Sequence, residues 1–153
     1  MKNKIKKLCI IPARGGSKRL LGKNVKVLGD KPLIYHTIDA ALGLFDKIIV
    51  TSDSENILEV VNNGYGNHNS ESELEISKRP DELATDTSKV IDTVVHYQQQ
   101  NIEFDQVWLL LPTCPLRNKQ DIINAQKLLS DNVDSVISIT EYDFPPSLGI
   151  LTG

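Results

Sequence analysis

Two short apolar runs, Leu8 to Ile11 and Ile48 to Val50, flank a stretch whose apolar residues recur every three or four positions, and this alternation constrains the fold more than any other feature. In the intervening stretch Leu33, Ile34, Thr37, Ile38, Ala41 and Leu42 fall on one helical face; Pro32 suits a first helical position and Gly43 a stop. Each apolar run is too short for a helix and is closed by turn residues, Pro12 with Gly15 and Gly16 in one case and Ser52 to Ser54 in the other. Two strands joined through a helix cannot form a tight hairpin, so they are expected to run parallel.

The same plan continues along the chain. Ile57, Leu58 and Val61 mark a second helix, and Val90, Ile91, Val94 and Val95 a third over about 87–99. "QVWLLLPTCPLR" is the most continuous apolar run, ended by Pro112 and Pro115, and predicts a central strand; "KQDIINAQKLLSD" predicts a further helix and "DSVISIT" a last strand. Residues 63–77, rich in Asn, Ser and Glu, read as a solvated surface insertion that allows a short ordered segment near its end. The 153 residues, 40% hydrophobic, fit one domain over 1–153. The expected architecture is a three-layer α/β sandwich with a mostly parallel sheet and right-handed crossovers, binding ligands at the carboxyl ends of its strands.

Charge is informative locally rather than globally. A net charge of -3 argues against a nucleic-acid partner. Cys9 and Cys114 provide neither a disulfide framework nor a four-ligand zinc site, and a reduced, cytoplasmic setting is expected. The basic and then apolar start stops at Pro12, too short for export or a membrane span. Within "IIPARGGSKRLLGKN", residues 10–24, Arg14, Lys18, Arg19 and Lys23 surround a Gly15-Gly16 pair that lets backbone approach a ligand. Neither the Walker spacing nor G-x-G-x-x-G is present, yet the composition suits a triphosphate.

Taken together, three segments resemble the acylneuraminate cytidylyltransferases, also called CMP-sialic acid synthetases. "IIPARGGSKRLLGKN" is similar to that family's nucleotide-binding signature, "KRPDELATDTS" (78–88) to its Arg-Pro-x-x-Leu-Ala-x-Asp-Thr segment, and "LLLPTCPLR" (109–117) to its Leu-Leu-Gln-Pro-Thr-Ser-Pro-Leu-Arg segment. The resemblance implies a Rossmann-like nucleotidyltransferase fold and transfer of CMP from CTP to a nine-carbon α-keto acid sugar, releasing pyrophosphate. It implies that Arg14, Lys18 and Lys23 act on the CTP phosphates, within a nucleotide site made by Ala13, Arg14, Gly15, Gly16, Ser17, Lys18, Lys23, Asn24, Arg79, Thr87, Ser88 and Lys89. Asn24 would lie beside the α-phosphate and ribose, Arg79 would reach the nucleoside, and the backbone of 87–89 would read cytosine. Leu111, Thr113, Cys114 and Arg117 would line the sugar site.

Two departures bear on these expectations. Leu111 stands where the family usually has a sugar-contacting Gln, which opens the sugar to 3-deoxy-manno-octulosonate or a legionaminate as alternatives. No Asp-x-Asp occurs in the chain, so the family's Mg²⁺ carboxylates are expected in a C-terminal part beyond it, together with most of the homodimer interface. The chain alone is then expected to be inactive, or to act as a CTP-binding or interaction module. Asp53 reads as a helix cap, His36, His68 and His96 as packing or solvated residues, and Cys114 as lining rather than a nucleophile. Arg117 suits either a sugar carboxylate or a loop anchor equally.

Overall fold

A computed structural model describes residues 5–17, 19–68, 70–85 and 87–140. Strands β1 (Lys7–Pro12), β4 (Lys47–Ser52), β5 (Glu73–Lys78) and β6 (Gln106–Leu109) form one parallel sheet in the order β5-β4-β1-β6. Val27–Leu28 (β2) and Lys31–Pro32 (β3) form a separate antiparallel ribbon that leads into helix α1, Leu33–Ala41. Helices α2 (Glu55–Tyr65), α3 (Val90–Gln100) and α4 (Lys119–Leu128) complete the sequence of elements.

Period-two alternation along β1 and β4 divides the core between the two faces. Cys9, Ile11, Ile48 and Val50 point to one side and pack with Ile34 and Ile38 of α1, Ile57 and Val61 of α2 and Ile122 of α4. Leu8, Ile10 and Ile49 point to the other and meet Tyr97 and Val94 of α3. These are the expected three layers, with both faces of the two central strands fully buried, which is why those strands read as unbroken apolar runs. From β1 the chain moves through β4 to β5, then returns to the opposite side of β1 as β6. The order therefore reverses at β1, and the carboxyl ends beside it form the switch-point crevice where such sheets bind ligands.

Three expectations are corrected. The 63–77 insertion is shorter than expected: α2 runs on to Tyr65, and the ordered segment near its end is Glu73–Lys78, among the described residues an edge strand paired with β4 from Lys47↔Glu73 to Ser52↔Lys78. Its charges are held by the neighbouring strand, where Lys47 Nζ lies 2.8 Å from Glu75 and 3.5 Å from Glu73. The "QVWLLL" run gives only Gln106–Leu109, and among the described residues β6 is an edge rather than a central strand, with Leu109 40% exposed. Residues 134–140 of "DSVISIT" form no strand, since apolar alternation makes a strand only where a neighbour completes its hydrogen bonds; Ile137 and Ile139 are exposed.

Candidate nucleotide site

Loops 13–24, 53–54, 79–89 and 110–117 leave the carboxyl ends of β1, β4, β5 and β6 in turn, so all three signature segments emerge on one edge of the sheet. The opening loop is held to β4 by two hydrogen bonds: Ala13 N–H donates to the Thr51 carbonyl at 2.9 Å, and Gly15 N–H to Asp53 Oδ1 at 2.8 Å. A Cβ on Gly15 would come within 2.7 Å of Ser54 Cβ, so only glycine lets the loop lie this close to the start of α2. Ser17 N–H then turns back to the Gly15 carbonyl at 2.9 Å. The loop ends at Gly22, whose φ of 62° opens a single 3-10 turn, Lys23–Val25. Asn24 is buried, and its Nδ2 donates to the Arg14 carbonyl at 2.9 Å, closing the loop on itself. Lys23 is half-buried and Arg19 exposed; Lys18 lies outside the described residues.

Arg79, the first residue after β5, is only 6% exposed. Its N–H donates to the Ser52 carbonyl at 2.8 Å and its Nη2 to the Thr51 carbonyl at 3.1 Å, while its buried Nε has no hydrogen-bond partner. Burial lowers the pKa of the guanidinium, an effect opposed by the negative charge of Asp53 and reinforced by Arg14. Beyond Arg79 a 3-10 turn (Asp81–Leu83) leads to a knot of hydroxyls. Thr85 Oγ1 lies 2.6 Å from Ser88 Oγ and 3.2 Å from Thr87 Oγ1, and Ser88 Oγ donates to the Glu82 carbonyl at 2.9 Å. Lys89 is exposed at the start of α3, its N–H donating to Asp92 Oδ2 at 3.0 Å. Behind this edge the Tyr97 hydroxyl is hydrogen-bonded to Thr51 Oγ1 at 2.7 Å and to Ser77 Oγ at 2.9 Å, tying α3 to β4 and β5.

On the other side of β1, Leu111, Thr113 and Cys114 are exposed in the loop after β6. The Arg117 guanidinium donates from Nη2 to the Leu111 carbonyl at 3.2 Å and to Thr37 Oγ1 at 3.4 Å, leaving a buried Nε without a hydrogen-bond partner. Of the two roles open to Arg117, loop anchor is the one these contacts display. Burial lowers its pKa.

Asp53 departs from its expected role as a cap. Ser54 occupies the N-cap of α2 with no side-chain cap bond, and the Asp53 carboxylate instead accepts the Gly15 amide across 38 residues of chain. The contribution of Thr51, Ser52 and Tyr97 to this edge is likewise invisible to local pattern. The available signal is positional: a polar residue directly after a buried parallel strand stands at the ligand-binding edge. His36 Nε2 sits 2.9 Å from the Leu28 carbonyl, His96 pairs with Gln100 one helical turn on, and His68 packs its ring against Tyr65.

A parallel sheet with a cationic glycine loop after β1 and a buried arginine after β5, both on its carboxyl edge, is an α/β architecture whose ligand site lies at that edge. The family model described as cytidylyltransferase matches residues 8–142. The chain is 43% identical over 147 residues to a CMP-N,N'-diacetyllegionaminic acid synthase of Legionella pneumophila, covering 92% of this chain and 60% of that protein. It is 38% identical over 152 residues to an N-acylneuraminate cytidylyltransferase of Escherichia coli (97% of this chain, 34% of that protein). A pseudaminic acid cytidylyltransferase of Campylobacter jejuni is 37% identical over 152 residues, with 92% of this chain and 61% of that protein covered. Among solved structures, CMP:2-keto-3-deoxy-manno-octonic acid synthetase complexed with CTP superposes with a TM-score of 0.62 at 22% identity, over 80% of this chain and 46% of that one. The chain belongs to the cytidylyltransferase family, and it spans between about a third and about three fifths of the length of these curated relatives.

Among the described residues, the carboxylates at this edge do not fit the Mg²⁺ that the family resemblance implies. Among the described residues no three His, Cys, Asp or Glu side chains converge, and Asp53 is already engaged by the Gly15 amide. No helix among the described residues is long and apolar enough to cross a membrane.

Proposed function

We propose that this chain forms the CTP-binding part of a cytidylyltransferase that activates a nonulosonic acid, converting CTP and the sugar to the CMP-sugar and pyrophosphate. The observation that carries this reading is the convergence of loops 13–24 and 79–89 on the end of β4, which sets a cationic, amide-rich loop beside a buried guanidinium. The printed names of the relatives, synthases and cytidylyltransferases for legionaminic, acylneuraminic and pseudaminic acids, support the reaction class.

In this reading Arg14, Lys18 and Lys23 hold the triphosphate, with Ala13, Gly15, Gly16 and Ser17 supplying close backbone and Asn24 fixing the turn beneath it. Arg79 orients the nucleoside, and Thr87, Ser88 and Lys89 face cytosine. The anomeric hydroxyl oxygen of the sugar attacks the α-phosphorus; an O–P bond forms as the hydroxyl proton passes to solvent, the bond to the α,β-bridging oxygen breaks, and pyrophosphate leaves with that electron pair. Fixed cations lower the barrier by neutralising charge on the phosphoryl oxygens and on the leaving group. Leu111, Thr113, Cys114 and Arg117, on the β6 side of the same edge, face the sugar. Leu111 presents methyl groups where an amide would offer two donors and an acceptor, which favours a sugar with an apolar substituent at that point, such as a deoxy or acylated nonulosonate.

Two measurements test the proposal. Calorimetric titration should show CTP binding more tightly than UTP or ATP. Pyrophosphate release by the full-length protein, assayed with N-acetylneuraminate, diacetyllegionaminate, pseudaminate and 3-deoxy-manno-octulosonate, should show turnover with a nine-carbon acid. Equal binding of the three nucleotides would refute the cytosine assignment, and CTP binding without turnover on any of the sugars would instead support a non-catalytic CTP-binding module.

A further inference from the structure

The residues that end β4 join both nucleotide segments. Thr51 offers one carbonyl to Ala13 N–H and to Arg79 Nη2, Ser52 accepts Arg79 N–H, and Asp53 accepts Gly15 N–H. Ser52 Oγ accepts Ser54 N–H at 3.0 Å, which stiffens the turn itself. Asp53 is the unexpected member, because a carboxylate beside a polyphosphate site repels the ligand and an edge built only for attraction would omit it. What the carboxylate does here is hold the N–H end of the Arg14–Gly15 peptide, whose carbonyl end takes the Asn24 amide. Gly15 has no side chain to anchor it and lies against Ser54, so the hydrogen bond to Oδ1 selects one backbone course for the loop that carries Arg14, Lys18 and Lys23. The same negative charge also opposes the cost of burying Arg79.

We propose that Asp53 is a positioning residue for polyphosphate binding: its Oδ1 holds the Gly15 amide and, through it, the cationic loop in the conformation that receives the phosphates. The inference rests on the nucleotide-binding reading above, but it concerns the phosphate end alone and does not depend on the base.

The test compares Asp53→Ala, which removes the acceptor, with Asp53→Asn, which keeps an oxygen at the same reach but loses the charge. Inorganic tripolyphosphate, CTP and cytidine serve as calorimetric probes, with thermal melting and the Gly15 amide proton resonance recorded alongside. Asp53→Ala should weaken tripolyphosphate and CTP at least tenfold while changing cytidine less than threefold, and should shift the Gly15 resonance. Asp53→Asn should restore the resonance and bring both polyphosphates within threefold of wild type. If Asp53→Ala fails to fold, the Asn variant decides alone: a loss of more than tenfold with the amide contact kept overturns the inference. So does unchanged or tighter polyphosphate binding in the folded Ala variant, which would mark Asp53 as a mere repulsive neighbour, and so does a wild-type chain that binds no tripolyphosphate. Polyphosphate binding that depends on Asp53 but shows no preference for CTP would sustain the inference while refuting the cytidylyltransferase reading.

Discussion

Arg79 reaches across the end of β4 to donate from Nη2 to the Thr51 carbonyl at 3.1 Å, the carbonyl that also takes Ala13 N–H from the opening loop at 2.9 Å. One backbone oxygen thus sets the spacing between the segment assigned to the nucleoside and the segment assigned to the phosphates. A guanidinium held this way is directional, and a lysine ammonium at the same place would lack the fork that spans carbonyl and ligand. Arg79→Lys and Arg79→Met are each expected to weaken both cytidine and CTP by tenfold or more in calorimetric titration. Because Ala13 still satisfies the Thr51 carbonyl, neither should unfold the chain. Cytidine affinity within twofold of wild type in both variants would remove Arg79 from the nucleoside site.

Lys23→Ala and Arg14→Ala should act on the other end of the ligand. Charge-assisted contacts contribute about 1.5 to 3 kcal/mol each, so CTP should lose roughly ten- to a hundredfold in affinity while cytidine barely moves. Parallel losses for CTP and cytidine would mean that the substitutions disturb the fold instead.

The Tyr97 hydroxyl supplies a different kind of support, bridging Thr51 Oγ1 and Ser77 Oγ beneath the site in a side chain only 2% exposed. Tyr97→Phe leaves the ring in place but strips a hydrogen-bond partner from two hydroxyls at the strand ends. A stability loss of about 1 to 3 kcal/mol is expected from denaturant unfolding, without loss of the helical signal. A variant as stable as wild type would show that the bridge carries no net energy.

The two cysteines should separate cleanly in thiol labelling. Cys9 is buried in β1, and burial pushes its pKa well above the usual thiol range near 8.5, so it stays protonated and shielded at neutral pH; Cys114 is exposed in the loop after β6. One thiol per chain should react promptly in the native state and a second only on unfolding. If Cys114 lies in the sugar site, a bound nonulosonate should slow its labelling in the full-length protein. Rapid reaction of both thiols would contradict the packing of β1.

What the amino-acid sequence disclosed follows from where the determining interactions lie. β1 and β4 were legible because both of their faces are buried, which demands consecutive apolar residues, and the four helices because each shows one apolar stripe. β5 was hidden because an edge strand tolerates alternating charge: Glu73 and Glu75 pair with Lys47, 26 and 28 positions away, and no local window contains that partner. "DSVISIT" shows the converse, a sequence with strand alternation that forms no ladder among the described residues. At the site, the glycines and cations of the opening loop are sequence-local and stood out. The Asp53 contact to Gly15 and the shared Thr51 carbonyl exist only because the sheet brings β1, β4 and β5 together.

The central claim is that a cytidine nucleotide occupies the carboxyl edge formed by these strands. Backbone amide resonances followed while CTP is titrated test it most directly. The shifts should concentrate in residues 13–24, in Asp53 and Ser54 and in 79–89, leaving the outer surface of α2 unchanged, and ATP should move the first group without the last. Shifts centred away from the carboxyl ends of β1, β4 and β5, or identical shifts at 79–89 with both nucleotides, would contradict the account.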